Sequence, residues 1–103
     1  MEIKGRECKE VKIGKNVFWI LDGYKGGDVR KILSFVVDDT TLNMKNLVAN
    51  MPGILGVVCM RVNEDIEPTS AFVDNLSVND YLELQGIITE EVTNLFIQEQ
   101  PKQ

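Results

Sequence analysis

Apolar positions alternate early in the chain and then change period. In EVKIGKNVFWIL, residues 10–21, Val11 and Ile13 are apolar between polar Glu10 and Lys12. Gly14-Lys15-Asn16 supplies a turn, and VFWIL follows, rich in β-branched and aromatic residues. That pattern predicts a β-hairpin over about 10–21. Two strands are not stable alone, so helices must cover one face. Residues 2–8 are expected to extend the first strand or to fray.

From residue 28 the period becomes helical. Val29, Ile32, Leu33 and Val36 stand at i, i+3, i+4 and i+7 behind Asp28, which is placed at the N-cap. This predicts a helix over about 28–37. Met44, Leu47, Val48 and Met51 repeat the spacing and predict a second helix over about 41–51, stopped by Pro52-Gly53. The run ILGVVCMRV, 54–62, fits a buried helix or a buried strand. Its valines favour a strand, whereas Pro52 suits a helix start, and a helix over 54–62 is the reading adopted. Pro68 opens a short helix over about 68–75 that buries Phe72 and Leu76.

The last element, 77–98, has the best-specified start. Ser77 and Asp80 form an S-x-x-D capping signal, and Leu76 and Tyr81 have the spacing of a hydrophobic staple. At 100° per residue, Val78, Tyr81, Leu82, Leu84, Ile88, Val92, Leu95 and Phe96 fall on one wide face. Ile87 and Ile97 fall outside it. A helix with more apolar residues than one face can bury invites a partner. The polar tail QEQPKQ is expected to fray. The expected fold is therefore a single α+β domain over 1–103, an N-terminal β-hairpin packed against a bundle of four to five short helices, and mainly helical.

Charge narrows the choice of partners. The net charge is −5 over 103 residues, which argues against nucleic acid. It is unevenly spread. Residues 1–31 hold eight basic and five acidic side chains, net +3, and residues 32–103 hold three basic and eleven acidic, net −8. Such a bipolar chain can associate head to tail or dock on oppositely charged partners. No apolar run reaches 18 residues and the N-terminus lacks an apolar signal core, so the expectation is a cytoplasmic protein without a membrane partner.

There is no histidine. That removes the commonest general base, the usual Ser-His and Cys-His pairs and His-containing zinc sites. Cys8 and Cys59 share no metal-binding spacing and are expected to be reduced thiols. Gly26-Gly27-Asp28 lacks a phosphate-loop pattern, and the acidic groups at 38–39 and 64–67 lack EF-hand spacing. The expectation is a protein that is not an enzyme and that has no cofactor and no metal.

The order of elements resembles tail assembly chaperones of long-tailed bacteriophages, including the phage Mu type. The resemblance runs from the hairpin EVKIGKNVFWIL through GGDVRKILSFV to AFVDNLSVNDYLELQGIITEEVTNLF. It implies a small cytosolic protein of the host cell. Such a protein binds the tape measure protein, helps recruit the tail tube protein and leaves the finished particle. It implies no catalytic residues, and it puts the contact surface on apolar helix faces, here 77–98 and 29–37. The candidate protein-binding residues are Ile87 and Ile97, together with Leu84, Phe96 and Trp19. Self-association into an oligomer is also expected. The alternative reading is a phage-encoded acidic inhibitor of a host defence or regulatory protein.

Overall fold

A computed structural model of the chain describes residues 1–38 and 41–98. Strands β1 (Glu2–Ile3), β2 (Arg6–Ile13) and β3 (Asn16–Leu21) lead into helix α1 (Gly26–Val36). A two-residue ribbon, β4 (Val37–Asp38) with β5 (Thr41–Leu42), precedes α2 (Met44–Ala49) and α3 (Met51–Val58). Strand β6 (Cys59–Val62), α4 (Ser70–Asp74) and the 21-residue α5 (Val78–Gln98) complete the fold.

The hairpin is one part of a four-stranded antiparallel sheet in the order β1-β2-β3-β6. Helix and strand take 53% and 25% of the described residues. The fold is α+β, and the expectation of a mainly helical chain resting on a lone hairpin is corrected. The longest strand outside the expected hairpin is β6. The apolar run 54–62 is expected to be one helix, but the helix ends at Val58, and Cys59–Val62 pair with β3, Val62 opposite Phe18 and Arg61 opposite Trp19. Ile54, Leu55, Val58, Cys59 and Val62 are all buried on both sides of that switch. Nothing in the run's hydropathy marks where a helix gives way to a strand, because the partner that decides it lies about forty residues upstream.

The turns follow from backbone chemistry. Lys4-Gly5 closes β1 on β2 with φ of 52° and 79°, the left-handed pair that a tight hairpin turn requires. Gly14 closes β2 on β3 at φ 59°. A Cβ there would also lie 2.6 Å from a carboxylate oxygen of Asp80, whose side chain would have to swing aside, but the positive φ is what favours glycine.

Other boundaries move for local reasons. Helix α1 begins two residues earlier than expected. Asp28 is not its N-cap but sits in the first turn, where its carboxylate accepts a hydrogen bond from the Lys25 N–H at 2.9 Å and pairs with Arg6. The helix expected over 41–51 is shorter. Asn43 caps it, its side-chain oxygen accepting from the N–H of Lys45 and Asn46, and Pro52 opens α3 where it was expected to end the preceding helix. Thr69 caps α4 by accepting the Phe72 N–H.

The core lies between the helices and one face of the sheet. Ile13, Phe18, Ile20 and Val62 meet Ile32, Val36, Leu47, Met51, Ile54, Leu55, Val58, Leu84, Ile88 and Val92. Phe18 stacks edge-on against Phe72 with ring centres 6.0 Å apart. A second cluster of Ile3, Cys8 and Leu21, with Trp19, Tyr24 and Met60 against it, fills the other face. Among the described residues no helix is long and apolar enough to cross a membrane.

Candidate protein-binding surface

Helix α5 starts where its capping signal places it. The Asp80 N–H donates to Ser77 Oγ at 3.2 Å, and the Tyr81 N–H donates to the Ser77 carbonyl at 2.8 Å. Leu76 and Tyr81 both pack against the core, as the staple spacing predicts. Leu84, Ile88, Val92 and Leu95 follow at i, i+4, i+8 and i+11 and are the buried stripe. They lie within about 80° of one another on the helix, which is a narrower face than expected.

That narrowness reassigns the flanks. Val78 and Leu82 were expected in the core but are 74% and 58% exposed. They sit one turn apart, about 120° and 160° from Leu84 around the helix axis. Ile87, expected outside the core, is half-buried and packs against it. Leu84, a candidate contact residue, is fully buried and unavailable to a partner. The side chains of Phe96 and Ile97, the other two candidates on this helix, lie outside the described residues.

Trp19 is half-buried on the sheet face away from the helices. Its Nε1–H donates to the Asn63 carbonyl at 3.0 Å, and the Arg61 guanidinium lies 5.8 Å from the ring centre. Asn63 is itself fixed at φ 55°. Its side-chain oxygen accepts from the Val17 N–H, and its amide donates to Asn16. These bonds spend Trp19 on joining β3 to the turn after β6. Of the three candidates whose side chains are described, Leu84 and Ile87 face the core from α5 and Trp19 lies on the opposite face of the sheet, so they do not form one patch.

The far half of α5 is anchored by polar chemistry. Glu91 accepts from Tyr24 Oη at 2.8 Å and from Lys9 Nζ at 3.0 Å. The three line a cleft of about 300 Å³ with Leu21, Asp22, Val29 and Asn94. Burial, and then the hydrogen bond to Glu91, push the Tyr24 hydroxyl well above the ordinary phenol range. The hydroxyl stays protonated and the cleft's strongest groups are spent on one another, so this is a clamp holding α5 to the sheet and the 22–25 loop. Sequence reasoning missed it because Lys9, Tyr24 and Glu91 are far apart in the chain and form no motif. The one available signal was a tyrosine in an otherwise polar loop.

Both cysteines are buried free thiols. Burial pushes Cys59 up to about 12 and raises Cys8 as well, so neither is primed as a nucleophile. The described residues contain no group of three or more acidic or cysteine side chains placed to hold a metal.

What remains on α5 is its outer face. Val78 and Leu82 are exposed beside Asn79 and Gly86, with exposed Glu83 and Glu90 along one flank. The helix carries four carboxylates, Asp80, Glu83, Glu90 and Glu91, and no basic residue. An exposed apolar pair with carboxylates along one flank is suited to contact with another protein. No family model, curated protein or solved structure matches the chain.

Proposed function

We propose that the chain is a non-enzymatic assembly chaperone of a long-tailed phage that holds its client on the outer face of α5. The observation that carries this reading is the exposed pair Val78 and Leu82 on a helix without a single basic residue. An i, i+4 apolar pair can lie along an apolar helix of a partner, and the flanking carboxylates keep the unloaded protein in solution. The resemblance in element order supplies the client, the tape measure protein, and the later partner, the tail tube protein. The site of action is the host cytoplasm. Chemistry at the protein surface is not needed: there is no histidine, and burial holds both thiols protonated.

Co-expression tests the reading. The chain should keep the tape measure protein encoded beside it soluble and co-purify with it, and Leu82→Glu should abolish both effects. A tape measure protein that stays insoluble with the wild-type chain contradicts the proposal. The acidic character of α5 also favours a second reading, an inhibitor of a basic host protein. That reading predicts a complex that weakens steeply with salt and survives Leu82→Glu.

A further inference from the structure

We propose that the acidic, apolar outer face of α5 is covered by the basic outer face of α1 from a second copy of this chain. The proposal rests on α5 being a contact face, whatever the identity of the client.

The two faces are complementary in charge and belong to different helices. Helix α1 exposes Lys25 at its cap, then Arg30 and Lys31. None of the three forms an ion pair among the described residues, in contrast to Lys9 and Arg6, whose carboxylate partners are Glu91 and Asp28. Its one first-turn carboxylate, Asp28, is already engaged by Arg6. On α5, Glu83 and Glu90 are exposed and likewise lack an ion pair among the described residues. The chain as a whole divides the same way, net +3 over 1–31 and net −8 over 32–103.

Apolar surface is covered in the same contact. Val78 and Leu82 stand beside Glu83 on α5. Arginine and lysine bury their methylene stems on apolar surface while keeping the charged head at a polar rim. Arg30 and Lys31 can therefore lay their stems across Val78 and Leu82 with their heads toward Glu83 and Glu90. The two faces are different surfaces, so the contact is heterologous: each copy presents one face and leaves the other open. A client helix on α5 would have to displace the neighbouring copy, so self-association protects the apolar pair until the client arrives.

Sedimentation of the full chain without any client tests this, together with two variants. One carries Leu82→Glu and the other carries Arg30→Glu with Lys31→Glu. All three positions are exposed, and unchanged circular dichroism and melting would show that the variants fold. Glu83→Lys with Glu90→Lys is a second α5 variant should Leu82→Glu misfold. The wild-type chain should associate with rising concentration, and association should weaken by about tenfold or more between low and high salt. Each variant alone should be monomeric. An equimolar mixture of the two should associate again, because each supplies the face the other lacks. A wild-type chain that stays monomeric at low salt, a variant that associates like wild type, or a mixture that stays monomeric would each overturn the proposal. Client capture by a strictly monomeric wild-type chain would sink the inference and leave the chaperone reading standing.

Discussion

Helices α1 and α5 solve one packing problem with opposite outer faces. Each buries a stripe in the same core, Val29, Ile32 and Val36 on α1, and Leu84, Ile88, Val92 and Leu95 on α5. Outside, α1 shows Arg30, Lys31 and Ser34 and no exposed large apolar residue, whereas α5 shows Val78 and Leu82 beside carboxylates. Folding determines only the inner stripes. The outer faces are free to differ, so their difference carries information about partners that the core cannot. The comparison also warns against counting apolar residues on a helix: Ile87 and Leu82 are both apolar, and the one expected outside packs inside.

The largest expected effect lies on the inner stripe. Ile88→Ala or Leu84→Ala should cost about 2–5 kcal/mol in denaturant unfolding, since both side chains are fully enclosed and their loss leaves a cavity. Ile87→Glu comes next, at about 1–3 kcal/mol, because the carboxylate would be pressed against the core edge. If Ile87→Glu is as stable as wild type, the assignment of inner and outer faces on α5 is wrong. Tyr24→Phe should cost about 1–2 kcal/mol by removing the hydroxyl's bond to Glu91, and it should loosen the C-terminal half of α5 in hydrogen exchange before the N-terminal half.

High pH sharpens the same division. Folding raises both the Cys59 thiol and the Tyr24 hydroxyl, mainly through burial. The unfolded chain therefore releases these protons first. The Cys59 contribution is fully present below the ordinary thiol value of 9.0 and is lost as pH rises from there toward about 12, and the Tyr24 contribution is present below the ordinary phenol value of 10.0 and is lost above it. Denaturation midpoints should fall steadily above the first of these values. Cys59→Ala should flatten the early part of the fall and Tyr24→Phe the later part, and a slope unchanged in both variants would remove burial as its cause.

Much of the local structure was legible and much of the assembly was not. The β2–β3 hairpin, the amphipathic stripe of α1, and the Ser77 cap with its Leu76–Tyr81 staple are written in neighbouring residues, so a local reading finds them. Strand β6 is not, since Cys59–Val62 becomes a strand only by pairing with β3. Strand β1 is two residues long and is betrayed only by Lys4-Gly5, a turn that lacks the usual Asn-Gly or Asp-Gly signature. Of the expected contact residues on α5, Leu84 is enclosed in the core and Ile87 packs against it. Hydropathy gives each side chain's angle around α5, but the neighbours decide how wide a face is covered. Here the stripe is narrow, so Val78 and Leu82 stay outside. The Tyr24–Glu91–Lys9 clamp was invisible for the reason β6 was, being made of residues that meet only in the folded chain.

The smallest expected effect on stability is also the most informative. Leu82→Glu is the substitution to measure twice, once for unfolding free energy and once for capture of the tape measure protein in co-expression. Stability within about 0.5 kcal/mol of wild type is expected, as for an exposed position, together with loss of capture. Capture at the wild-type level by a folded Leu82→Glu chain, or a domain that this substitution unfolds, would contradict the claim that the outer face of α5 is built for a partner.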